Sequence, residues 1–151
     1  MTRMRVSGLR FIGAILLALS LLPAAARADS QRSGDFIVYY SAISSTLITP
    51  AVAHANGLGR GKDTGLINIA VKRGRDPASA APVPATITGS VRNLSGQSTT
   101  LHFRAVSEPG AVYYLAEYPV SGIDTLRFDL RVHPVGGSVI AVVFSRDFNT
   151  D

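Results

Sequence analysis

Three observations predict an all-β protein: seven runs rich in β-branched and aromatic residues, turn residues between the runs, and a single stretch punctuated as a helix. The expected architecture is a seven-stranded antiparallel β-sandwich, immunoglobulin-like, with one short helix between the first two strands. The chain has no cysteine and no tryptophan, the landmarks of antibody domains, so the likeness is one of architecture.

After a polar lead-in at Asp29 to Gly34, the first strand is expected over Asp35 to Ile43. There Phe36, Val38 and Tyr40 alternate with Ile37 and Tyr39, so both faces should be at least partly covered. The helix follows: Thr49 suits the N-cap, Pro50 the first helical position, and Gly57 the left-handed stop after Ala51 to Asn56. The second and third strands are expected over Thr64 to Lys72 and Ala85 to Asn93, the fourth over Thr99 to Val106 and the fifth over Ala111 to Tyr118. Between the second and third, Arg73 to Pro84 reads as a crossover between sheets or an exposed loop.

The sixth strand, Asp124 to His133, alternates most cleanly. Leu126, Phe128, Leu130 and Val132 should form a dry face against Arg127, Asp129, Arg131 and His133 on a wet one. A seventh is expected over Ser138 to Arg146. The links Asn93-Leu94-Ser95-Gly96, Glu108-Pro109-Gly110, Ser121-Gly122 and Pro134-Val135-Gly136-Gly137 carry turn chemistry and favour antiparallel neighbours.

Residues 1–28 read as an export signal, leaving residues 29–151 as one domain. Arg3, Arg5 and Arg10 precede an uncharged apolar run from Phe11 to Leu22, and Pro23 breaks it. Ala26-Arg27-Ala28 then places small residues where a signal peptidase cuts, between Ala28 and Asp29. The run has 12 residues, whereas a membrane span needs about 20, so no span should remain after cleavage. The expected location is the periplasm.

Cleavage changes the electrostatics. The net charge of +5 includes four arginines of the signal and none of the acids, so the mature chain carries 11 − 10 = +1. The basic character thus belongs largely to the leader and marks no nucleic-acid partner. Both methionines, Met1 and Met4, are in the leader too, leaving the mature domain without sulfur, the preferred ligand of soft metals.

Several segments resemble those of an uncharacterised family. They are Ser33-Gly34-Asp35-Phe36, Leu47-Ile48-Thr49-Pro50, Tyr113-Tyr114 with Glu117-Tyr118-Pro119-Val120, Thr125-Leu126-Arg127-Phe128, and Phe144-Ser145-Arg146-Asp147-Phe148-Asn149-Thr150-Asp151. Across nearly all of residues 29–151 the chain is similar to domain of unknown function 4426. The resemblance implies a small exported β-sandwich protein of Gram-negative bacteria and no established activity, ligand or catalytic residue.

Each candidate for chemistry meets a plainer alternative. Gly57-Leu58-Gly59-Arg60-Gly61-Lys62-Asp63-Thr64 suggests a phosphate loop, but a Walker loop needs glycine at Asn56 and Ser or Thr at Asp63, and it follows a strand and opens a helix. Arg60 and Lys62 are separated from Lys72, Arg73 and Arg75 by the length of a strand. His54, His102 and His133 form no short-range metal pair. No Gly-x-Ser-x-Gly elbow marks a nucleophile, and Glu108, Glu117, Asp124 and Asp129 show no acid–base pairing. Asn93-Leu94-Ser95 matches a glycosylation acceptor that only a eukaryotic secretory route would use.

The tyrosines offer the best binding-site idea. All five, Tyr39, Tyr40, Tyr113, Tyr114 and Tyr118, fall in two strands, and adjacent residues of a strand point to opposite faces. Strand parity selects Tyr39 and Tyr113 as the outward pair; ordinary cross-strand packing is the alternative. The expectation is therefore a non-enzymatic binding or protein-interaction module. Its partner would be an envelope protein or a small ligand, with no cofactor, no metal and no catalytic residue. The alternative is a small hydrolase-like periplasmic enzyme whose site assembles only in three dimensions.

Overall fold

The structure, a computed structural model, describes residues 28–149. The charged start and apolar run of the export signal, and Ala26-Arg27 of its cleavage motif, lie outside the described residues, as do Thr150 and Asp151.

The chain is all-β, with two antiparallel sheets of six and four strands. Among the described residues ten strands are present rather than seven. β1 (Asp29–Ser33) and β2 (Phe36–Ser44) form a hairpin in which Asp29 pairs with Tyr40. The polar lead-in is thus itself a strand: an edge strand needs only backbone partners, and β2 supplies them. A 3-10 turn (Ser45–Leu47) and α1 (Pro50–Ala55) come next. The Thr49 hydroxyl accepts the Val52 N–H at 3.3 Å to cap α1, and Gly57 ends it at φ +56°.

β3 (Thr64–Arg73) pairs with β2, with the two-residue β4 (Ala81–Pro82) and with β8 (Ala111–Pro119). β5 (Ala85–Arg92) begins the smaller sheet, so residues 74–84 carry the chain across, with β4 on the way. The run expected as one strand over Thr99 to Val106 is instead two. β6 (Ser98–Thr100) pairs with β5, and β7 (Arg104–Glu108) pairs with β8 in the other sheet. Leu101, buried at the break, is where the chain changes sheet. β9 (Asp124–Pro134) and β10 (Ile140–Phe148) complete the smaller sheet in the order β10-β9-β5-β6.

One core joins the two sheets. Val38, Ile67, Ile69 and Val71 from the larger sheet meet Phe128, Leu130, Val132 and Val142 from the smaller, each at most 1% exposed. β9 has the alternation its sequence predicts, apolar residues buried and charged ones in water. Tyr118 packs edge-on against Phe128 and Phe148, at centroid distances of 5.0 and 5.8 Å. Gly65, its register partner on β3, makes this possible: a Cβ there would land on the Tyr118 ring. Burial pushes the Tyr118 phenol up, against the opposing pull of the Arg146 guanidinium. Its hydroxyl donates to the Ile43 carbonyl at 3.3 Å.

At the edge between the sheets, Arg146 of β10 donates to Asp29 of β1 at 2.6 Å, and Gln31 donates to the Ala141 carbonyl at 2.9 Å. β1 thereby ties the two sheets together along one side.

Candidate functional site

A second, smaller apolar cluster covers part of the larger sheet's outer face. Ile48 and Ala53 from the segment around α1 pack on Leu66 and Leu115, with Ile43, Val106 and Tyr113 at the margin. Among the described residues, no helix covers the rest of that face.

Register places the two candidate tyrosines on this face together. Tyr39 of β2 lies opposite Ala70 of β3. Tyr114 pairs with Ile69, so Tyr113 comes level with Ala70 on the far side. Val38, Ile69, Val71 and Tyr114 face the common core, so Tyr39, Ala70 and Tyr113 point away from it. Two strand spacings, about 10 Å, separate the tyrosine strands, and the small Ala70 side chain lies between them. Both tyrosines are half-buried rather than fully exposed: Tyr113 leans on the α1 cluster, and the Lys72 ammonium stands 5.8 Å from the Tyr39 ring centre.

The neighbouring row is polar. Ser41 pairs with Asn68, and Asn68 with Leu115. Asn68 Oδ1 is buried and has no hydrogen-bond partner, a costly arrangement for an amide oxygen. Sequence reasoning found the tyrosines by strand parity but missed Ser41, Asn68, Ala70 and Lys72 beside them. The alternation of Leu66, Asn68, Ala70 and Lys72 against Gly65, Ile67, Ile69 and Val71 was a visible signal; the register joining it to β2 and β8 was not.

The other candidates do not converge. Glycine amides of the Gly57–Thr64 segment are taken up internally: Gly59 N–H bonds Glu117 Oε1 and Gly61 N–H bonds Ser45 Oγ. Arg60 donates to the Ile48 and Thr46 carbonyls at 2.8 and 3.0 Å. His54 on α1, His102 between β6 and β7, and His133 on β9 are each exposed. Among the described residues no group of three or more His, Cys, Asp or Glu could hold a metal ion. Of the expected cleavage pair, Ala28 immediately precedes β1 and Asp29 is its first residue. A cavity of about 130 Å³ opens where Asn93, Gln97, Thr99, Ser121 and Asp124 meet, and it contains no histidine. Among the described residues, no helix is long and apolar enough to cross a membrane.

These features define a small two-sheet β protein whose sequence-selected aromatic residues lie on one outer sheet face. The chain belongs to the DUF4426 family, a domain of unknown function, whose sequence pattern matches residues 30–151. It is 37% identical to a DUF4426 family protein (PA0388) from Pseudomonas aeruginosa PAO1, over 82% of this chain and 96% of that one, with a TM-score of 0.71. FetP of uropathogenic Escherichia coli strain F11 shares the fold at 10% identity and TM-score 0.60, over 82% of this chain and 95% of FetP. Copper-reconstituted P19 of Campylobacter jejuni does so at 11% identity and TM-score 0.51, over 80% of this chain and 93% of P19. No curated protein sequence matches the chain.

P19 holds copper. Among the described residues, His54, His102 and His133 lie apart and gather no donor cluster for such an ion.

Proposed function

We propose that this chain is a non-enzymatic binding or protein-interaction module of the periplasm, an immunoglobulin-like sandwich released by cleavage between Ala28 and Asp29. Its partner, an envelope protein or a small ligand, docks on the open part of the larger sheet's outer face. The observation that carries this reading is the three-strand row of Tyr39, Ala70 and Tyr113, beside the unpartnered Asn68 amide oxygen. Tyrosine offers a rigid apolar ring with a polar tip, the chemistry that recognition surfaces favour. A donor from a partner would relieve the Asn68 oxygen.

The periplasmic assignment draws on the arrangement of residues 1–28 and on the shared fold with FetP, a protein produced recombinantly in that compartment. The hydrolase alternative would need a histidine beside a carboxylate in a cavity, whereas the cavity holding Asp124 is lined by amides, hydroxyls and apolar groups.

The test is affinity capture from the envelope with the wild-type domain and with Tyr39→Ala and Tyr113→Ala. Loss of a captured partner by variants that still unfold cooperatively is the expected result. Undiminished capture by both folded variants would remove this face from the account.

A further inference from the structure

A second site lies on the opposite sheet. In the register of β5 and β9, Arg92 stands directly across from Arg127. Ser98 of β6 is opposite Arg92, and Ser145 of β10 is opposite Arg127. One row across all four strands thus reads Ser98, Arg92, Arg127, Ser145. All four residues are exposed, and they point away from the core, since Val91, Leu126 and Phe128 between them point into it.

Directly opposed side chains have Cβ atoms about 5 Å apart, and like charges there repel. Among the described residues, neither guanidinium has an ion-pair partner: the two ion pairs present are Arg75 with Asp35 and Arg146 with Asp29. The nearest acids are otherwise placed. Asp147 accepts the Thr125 hydroxyl at 2.7 Å, and Asp129 stands in the next row, between Ser90 and Val143. The row therefore carries two directly opposed arginines with no ion-pair contact, with Asp129 and Asp147 in the adjacent rows.

We infer that Arg92 and Arg127 form a binding site for a phosphoryl group. Two planar guanidinium forks can each give paired N–H bonds to oxygens of one tetrahedral anion. The dianion cancels the repulsion between the arginines, and the short Ser98 and Ser145 side chains on the outer strands leave the approach to the pair open. The Gly57–Thr64 loop resembles a phosphate loop in sequence but uses its own amides internally, whereas the arginine row became visible only through strand register.

The test uses the residue 29–151 domain and inorganic phosphate as probe, with chloride at matched ionic strength as reference. Phosphate should raise the thermal midpoint by about 5 °C at tenfold over half-saturation. Arg92→Gln and Arg127→Gln should each weaken phosphate binding by about tenfold or more, and without phosphate at low salt each should raise the midpoint by relieving repulsion. Arg75→Gln, an equal loss of charge at an exposed loop, should leave the phosphate response unchanged. An equal phosphate response in wild type and both row variants would reduce the effect to bulk salt exclusion and overturn the site. Vesicles of phosphatidylcholine with phosphatidic acid then separate the sources: co-sedimentation lost in Arg127→Gln assigns the phosphoryl group to a lipid headgroup, and no sedimentation alongside phosphate binding assigns it to a soluble ligand.

Discussion

Tyr118 shows how one side chain links packing to pH. Its hydroxyl is buried and bonded to the Ile43 carbonyl, and burial raises its ionisation well above the ordinary tyrosine value. The unfolded chain releases that proton near pH 10 while the folded chain holds it, so the folded state binds more protons there and stability falls as pH rises. Below pH 10 the contribution is fully present. Denaturant titrations between pH 9 and 11 should lose about 1.4 kcal/mol per pH unit above pH 10 from this group, and Tyr118→Phe should remove that slope at a cost of about 1 kcal/mol at pH 7. An unchanged alkaline slope in the variant would assign the loss to other groups. Tyr39 and Tyr113 differ because they are half-buried on the outer face. Truncating either to alanine should cost about 1–2 kcal/mol by chemical denaturation, between the near-zero cost of a fully exposed ring and the larger cost of a core one.

At the scale of elements, the β3–β8 pairing depends on Gly65 leaving room for the Tyr118 ring. Gly65→Ala should destabilise the domain by about 1–3 kcal/mol through overpacking, while Gly34→Ala, in open space at φ +57°, should cost about 1 kcal/mol from backbone strain alone. Equal losses in the two variants would contradict the packing account of Gly65. Long elements with a clean period were legible in the sequence: β9 was read from its alternation, and α1 from Thr49, Pro50 and Gly57. β1 was missed because Asp29, Ser30, Gln31, Arg32 and Ser33 carry no apolar stripe, and its pairing is backbone chemistry. The division of β6 from β7 was missed because Ser98 to Glu108 has strand-forming residues on both sides of Leu101, and nothing local says that they join different sheets.

For the whole molecule, the sequence identified the outward tyrosines by parity but not their convergence, because register between β2, β3 and β8 is a property of the assembled sheet. The same limit hid the Arg92–Arg127 pair. Chain processing is independently testable: intact mass of protein recovered from the periplasm should correspond to a chain beginning at Asp29, and a full-length species extracted only from membranes would contradict it. Elemental analysis after dialysis should find no stoichiometric copper or zinc, since the histidines lie in separate exposed places. The proposal that the outer face of the larger sheet carries function is tested most directly by a photoreactive benzophenone side chain, placed at Lys72 beside Tyr39 or at Thr88 on the outer face of the smaller sheet. In cells, position 72 should give a discrete crosslinked product that disappears with Tyr39→Ala, and position 88 should not give that product. A common product from both positions, or one from position 88 alone, would contradict the assignment.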